Sequence, residues 1–265
     1  MTDRRTFLRA LAGAAVVGAA GAVGRPAVAA AGADVDPAAV AALDAGQVPG
    51  QWGTSLPGIV TSFAPTGKQL ALTFDLCDRA CDDALLDTLR THGAPAVLFA
   101  CGKWIADQPG RVERLAAEPL FEIGNHGTRH VPLSVTGRSA YGIAGTRSVA
   151  EAVDEVWANQ NRIASLTGTA PTWFRTGTAY YDDVGVRLVR QLGLTPVGFA
   201  VNADAGATLP AARVAAAVTH AAPGSIVLAH ANHPEGGTAA GMAAAIPAQQ
   251  AAGWEFVRLS GQAVR

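Results

Sequence analysis

His126 and His130 stand four positions apart in Asn125-His126-Gly127-Thr128-Arg129-His130, directly after the apolar stretch Phe121-Glu122-Ile123-Gly124. That spacing turns two imidazoles toward one point, on a helical turn or in a loop leaving a strand. It is one way proteins gather ligands for a divalent metal. Gly124 and Gly127 allow the tight backbone path that converging rings need. Other polar residues close apolar runs in the same manner: Asp75 after Leu72-Thr73-Phe74, Arg175 after Trp173-Phe174, Asp204 after Val201-Asn202-Ala203, and His230 after Ile226-Val227-Leu228-Ala229. Reactive groups at the carboxyl ends of successive strands are the arrangement of an α/β barrel site. The chemistry implied is metal-assisted hydrolysis.

Each residue has a role that fits its type. Asp75 reads as a general base or a metal ligand, because Asp82 already occupies the helix-capping position before Ala84-Leu85-Leu86. Arg175 follows Trp and Phe, so its guanidinium must be paired or lie at the mouth of the site. Asp204, one strand later, is the expected partner. His230 ends the most apolar strand and reads as a general acid. His233, before Pro234 on an extended loop, is a candidate substrate contact. His92 and His220 fall near helix C-termini, where positive charge is favoured, and read as structural.

The elements that must position these groups alternate from Lys68 onward. Strands are expected over 70–75, 95–100, 121–124, 172–175, 196–201, 225–230 and 254–259, with amphipathic helices over 83–92, 111–117, 147–166, 182–192, 211–220 and 239–252. Gly93, Gly168, Gly193 and Gly253 close several of the helices. Strands joined by helical crossovers pair in parallel. The expectation is one α/β domain over 68–265, a barrel of seven strands because no eighth unit fits.

The N-terminus bears on compartment. Arg4-Arg5-Thr6-Phe7-Leu8 precedes an uncharged run from Ala10 to Gly24 and then Ala27-Val28-Ala29, the pattern of a twin-arginine export signal over 1–29. The run is too short and Gly-rich to span a bilayer of about 30 Å. The chain is therefore expected to be exported by the Tat route and secreted or held at the cell envelope. Residues 30–67 read as a flexible linker or N-terminal arm. A net charge of −1 among 265 residues argues against nucleic-acid binding, which would need a basic patch. Nothing in the chain demands more than a monomer. With three cysteines, one must be left over. Cys77 and Cys101 follow the first two strands, so a Cys77–Cys101 disulfide is the first expectation; three free thiols, a Cys77–Cys81 bridge and metal ligation are the alternatives.

The order of Thr-Phe-Asp75, His126-x-x-x-His130, Phe-Arg175, Asp204 and Ile-Val-Leu-Ala-His230 resembles the polysaccharide deacetylase family, the NodB-homology or carbohydrate esterase family 4 domain. The resemblance implies a deformed (β/α)7 barrel and hydrolysis of N- or O-acetyl groups on an N-acetylated glycan, with Zn²⁺, Co²⁺ or another divalent ion. It assigns Asp75 as base, His126 and His130 as metal ligands, Arg175 and Asp204 as the pair that holds and tunes the base, and His230 as the acid for the leaving amine. Two departures stand out. The family's Thr-Phe-Asp-Asp has Leu76 in place of its second Asp, the third metal ligand; Asp78 is the first candidate to replace it, with Asp75 and a Cys77 thiolate as alternatives. The usual Arg-x-Pro-Tyr-Gly has become Arg175-Thr176-Gly177-Thr178-Ala179, so a backbone N–H such as that of Thr178 is expected at the oxyanion, and Tyr180 or Tyr181 is expected to supply the aromatic. A hydrolase of another non-peptide amide and a glycan-binding homologue without catalysis are the rival classes.

Overall fold

The structure is a computed structural model in which residues 35–78 and 80–265 are described. The expected export signal at 1–29 lies outside the described residues. In chain order the elements are α1 (Pro37–Leu43), β1 (Trp52–Gly53), β2 (Gln69–Leu76), α2 (Asp83–Thr91), β3 (Ala96–Ala100), α3 (Gly102–Asp107), α4 (Arg111–Ala116), β4 (Phe121–Asn125) and α5 (Val149–Thr167). They continue with β5 (Trp173–Phe174), β6 (Tyr181–Asp182), α6 (Asp183–Gln191), β7 (Thr195–Pro196), β8 (Val201–Asn202), α7 (Ala211–Thr219), β9 (Ile226–His230), α8 (Thr238–Ala251) and β10 (Glu255–Phe256).

Strand β2 shows how sequence becomes layer. Side chains alternate along a strand, and here both faces are buried. Leu70, Leu72, Phe74 and Leu76 face the helices and join the main core with Leu85, Leu89, Leu98, Trp104 and Ile246. Ala71 turns the other way, into a smaller core with Val97, Phe99, Val197 and Ile226 that fills the barrel. The helices around it begin where their sequences say they should. Asp82 accepts from the Leu85 N–H at the start of α2, and Ser148 accepts from the Glu151 N–H at the start of α5. Gly168, at φ 73°, ends α5 in the left-handed conformation that glycine adopts without strain.

The parallel sheet runs β7-β5-β4-β3-β2-β9-β8, with β10 beside the start of β2. This is the deformed seven-stranded barrel with one change. The expected strand over 196–201 is broken into β7 and β8, which sit at opposite edges of the sheet. The ring is therefore closed by the covalent chain through residues 197–200 and not by a continuous ladder. The arm completes it: Val60 pairs with Val197, and Ser62 with Ser225 at the foot of β9.

The arm expected to be flexible over 30–67 is thus folded where it is described. Val40 and Ile59 are buried against Leu133, Val186 and Leu192, and Phe63 is in the barrel core. Burial of these apolar side chains is the physical reason, and a search for Ala, Gly and Pro content alone overlooks it. Helices α1 and α3 were not foreseen either; both are short. Among the described residues no helix is long and apolar enough to cross a membrane.

Candidate active site

The carboxyl ends of the strands bring the polar residues together as barrel geometry requires. Asp75 is the penultimate residue of β2, His126 follows β4, Arg175 follows β5 and His230 closes β9. Asp75 and His230 line a cleft of about 390 Å³ with His130, Thr178, Asn202 and Leu228, walled on one side by Tyr141 and Ile143, while His126 and Arg175 are buried beside Asp75. A neighbouring depression of about 470 Å³, lined by Cys77, Asp78, Asn232 and His233, shares His130, Gly206 and His230 with it. The two form an open groove across the site. A larger depression of about 590 Å³ between Gly58, Arg190 and Arg265 is lined by no histidine, cysteine, aspartate or glutamate.

Arg175 is wholly buried. From β5 it reaches across the barrel interior, its guanidinium 4.3 Å above the Phe99 ring. Its Nη1 donates to Asp75 Oδ1 at 2.8 Å, its Nη2 to Thr73 Oγ1 at 2.8 Å and Gly198 O at 2.9 Å, and its Nε to Val197 O at 3.3 Å. Burial by itself would raise the Asp75 pKa, but His126 and the Arg175 guanidinium outweigh it and hold the carboxyl below its ordinary value. Because His126 is itself driven toward neutrality, the fixed charge of Arg175 is the cause that persists.

Asp204 does something else. Its Oδ2 accepts from the His230 N–H at 2.7 Å and from Thr238 Oγ1 at 2.9 Å, and its Oδ1 accepts from His230 Nδ1–H at 2.9 Å. The expected Arg175–Asp204 pair is thereby corrected: Arg175 holds Asp75, and Asp204 holds His230. Burial opposes a charged imidazole, yet the Asp204 hydrogen bond and the nearby Asp75 carboxylate raise the His230 pKa above its usual value. The two tethers thus push in opposite senses, Asp75 toward its ionised form and His230 toward its protonated form.

His126 Nδ1–H donates to the carbonyl of Arg175 at 2.8 Å, which fixes the tautomer and leaves Nε2 as a lone pair. Burial pushes the pKa of His126 down, and burial together with His126 pushes His130 down to about 3, so both rings are neutral donors. His130 Nε2 is buried with no hydrogen-bond partner. Its backbone adopts φ 63°, an uncommon conformation for a side chain of this kind. Gly177 packs directly on it: a Cβ there would stand 2.5 Å from His130 Cα.

Cys77, His126 and His130 each offer a ligand atom within 4.8 Å of the others. Asp78, the first candidate for the third ligand, stands outside that group and accepts from Asn232 Nδ2 at 3.2 Å. Cys77, Cys81 and Cys101 are all free thiols, which overturns the expected Cys77–Cys101 disulfide. The Cys77 thiol faces His126 Nε2 at 3.7 Å, whereas the Cys101 thiol turns to Thr128 O at 3.7 Å. An orphaned buried imidazole nitrogen beside a thiol and a second lone pair is a donor set that fits a divalent metal.

The remaining candidates divide. Thr178 lines the cleft. Tyr180 does not; its ring packs between Trp52, at 5.6 Å, and Tyr141, at 5.5 Å. Tyr181 is buried, its hydroxyl accepting from the Thr176 N–H. The aromatics that do line the cleft are Phe199 and Tyr141, the latter 77% exposed, and the motif pattern gave no means of finding either. His233 Nδ1–H donates to Glu235 at 2.9 Å on the second depression. Thr73, which braces Arg175, was also missed; its place two residues before Asp75 on the same strand face was the available signal.

Residues 64–197, half of the chain, match the polysaccharide deacetylase family. The chain is 28% identical over 201 residues to a peptidoglycan-N-acetylglucosamine deacetylase of Listeria monocytogenes, covering 74% of this chain but only 39% of that protein. It is 30% identical over 172 residues to a chitooligosaccharide deacetylase of a Bradyrhizobium strain, covering 64% of this chain and 73% of that one. In fold it is similar to a solved peptidoglycan N-acetylglucosamine deacetylase in complex with a naphthyl-substituted benzamide. The TM-score is 0.65 at 23% identity, over 76% of this chain and 91% of the other. On its ordered motifs, its barrel and these matches, the chain belongs to the polysaccharide deacetylase family.

Proposed function

We propose that this protein hydrolyses acetyl groups, N-acetyl before O-acetyl, on a polysaccharide or cell-wall glycan, with a divalent metal at His126 and His130. The observation that carries the reading is the pair of separately tethered dyads, Arg175–Asp75 and Asp204–His230, whose Asp75 and His230 face one cleft together with His130, against which the buried His126 ring packs. Zinc is the first choice of metal and cobalt the second. When bound there, the metal supplies Lewis acidity toward the acetyl carbonyl and the attacking water.

The chain's own residues do the rest. Asp75, kept ionised by Arg175, takes the proton of the attacking water. The Ala179 N–H is committed to Thr176 O at 2.8 Å, which leaves the Thr178 N–H, in the loop that lines the cleft, as our choice of donor to the developing oxyanion. His230, with Nδ1–H fixed on Asp204, delivers the proton at Nε2 to the departing amine. The open groove suits a chain-like substrate entering from either side. The names of the Listeria and Bradyrhizobium relatives support an N-acetylglucosamine unit as the group attacked. We extend the proposal to location: the twin-arginine pattern at the N-terminus supports export and action at the cell envelope, as a monomer.

The test is acetate release from a panel of N-acetylated glycans, peptidoglycan and chito-oligosaccharides included, by metal-loaded protein. Release that disappears on chelation and in His126→Ala supports the reading. Glycan binding with no release from any member of the panel would instead support the rival that Leu76 favours, a binding protein that has lost catalysis.

A further inference from the structure

The residue at position 76 cannot take the role that the resemblance gives it, and the reason is strand alternation. Leu76 is wholly buried among Leu70, Leu72 and Phe74 on the helix side of β2. The next residue turns back to the barrel mouth. Thr73, Asp75 and Cys77 follow one another on that face at two-residue intervals. Thr73 and Asp75 are both held by Arg175. Cys77 comes next in the row, with its thiol 3.7 Å from His126 Nε2. The third member of the cluster, His130, presents a buried nitrogen that nothing satisfies.

We infer that Cys77 is the third protein ligand of this site, a thiolate one residue further along the chain standing in for the carboxylate expected at position 76. The inference rests on the proposed metal binding at His126 and His130. Three protein ligands with a further position open is the pattern of catalytic zinc sites, and Cys with His is an established combination there. The thiol sheds its proton to solvent as the metal binds. Asp75 keeps its other task, since its Oδ1 is engaged by Arg175. A thiolate with two imidazoles also changes the choice of ion: zinc and cobalt are favoured over magnesium, calcium and manganese, which prefer oxygen.

The experiment loads the full chain with Co²⁺ and records its near-ultraviolet absorption, with metal content measured in parallel. A thiolate-to-cobalt charge-transfer band is expected at one cobalt per chain, present in Cys81→Ser and Cys101→Ser and lost in Cys77→Ser. Zinc affinity should fall at least ~100-fold in Cys77→Ser, beyond the 10–100-fold typical of outer-shell changes. Cys77→Asp should recover part of that affinity and tolerate manganese better. In the unaltered protein, zinc should protect Cys77 from alkylation and leave Cys81 reactive. A cobalt-loaded protein without the band, or Cys77 equally alkylated with and without zinc, overturns the inference. Acetate release is scored separately. A band without release defeats the deacetylase reading and leaves the ligand assignment standing; release without a band does the reverse.

Discussion

Arg175 carries its guanidinium wholly buried in the barrel interior, so the groups around it must answer for that charge. A buried ion pair broken on one side leaves the other charge uncompensated, typically at about 3–5 kcal/mol. Arg175→Met should therefore lower stability by that order in urea titration. It should also release the Asp75 pKa upward, moving the acid limb of the pH–rate profile to higher pH. The other dyad has the opposite sign. The His230 pKa is raised by Asp204, so the proton needed by the leaving group is retained above the ordinary histidine range and lost as pH rises through the raised value. Asp204→Asn removes that support, and the alkaline limb should move to lower pH while the acid limb stays. If both limbs stay fixed in both variants, these residues are not the titrating groups.

At the scale of elements, much of the site was legible because chemistry sits where strands stop. Asp75, His126, Arg175 and His230 could each be placed by the apolar run before it. The pairing among them could not. Arg175 and Asp75 lie 100 residues apart in sequence. They meet because a long guanidinium spans the barrel from β5 to β2, past β4 and β3. Asp204 follows β8, which is adjacent to β9 and remote from β5 in the sheet order, so its partner is His230. Reasoning from the next strand along the chain picks the wrong neighbour whenever sheet order and chain order differ. The Arg175-Thr176-Gly177 loop offers a second test. Its glycine admits the His130 backbone, and Gly177→Ala would drive a methyl into it. The expected result is reduced metal content in a protein that still folds, with a lowered midpoint in thermal melting. Unchanged metal content would show that His130 tolerates displacement.

Over the whole molecule, the segment before the family match is part of the fold. Trp52 lies against Tyr180 beneath the Arg138 guanidinium, 5.0 Å away, and so helps shape the rim of the cleft. Val60 and Ser62 pair with both sides of the barrel closure. Composition hid this, because a few apolar residues decide whether an Ala- and Gly-rich arm packs. Relative to the full chain, a chain starting at residue 68 should lose cooperative unfolding and expose apolar surface to a hydrophobic dye. Equal cooperativity in the two would assign the arm no role in stability.

The interrupted strand between β7 and β8 has a kinetic consequence. Residues in β2, β3 and β4 sit in ladders of five paired positions, while β7 and β8 each hold on by two. Opening free energies within one protein range from near zero to the global value, according to how much must be broken. Amide hydrogens at Thr195 and Val201 should therefore exchange with solvent well before those at Leu72 or Leu98. Phe199 and Asn202, which line the cleft, belong to this fast-opening clasp. The groove wall formed by these residues should therefore open more often than the strand carrying Asp75, which is clamped at the centre of the sheet.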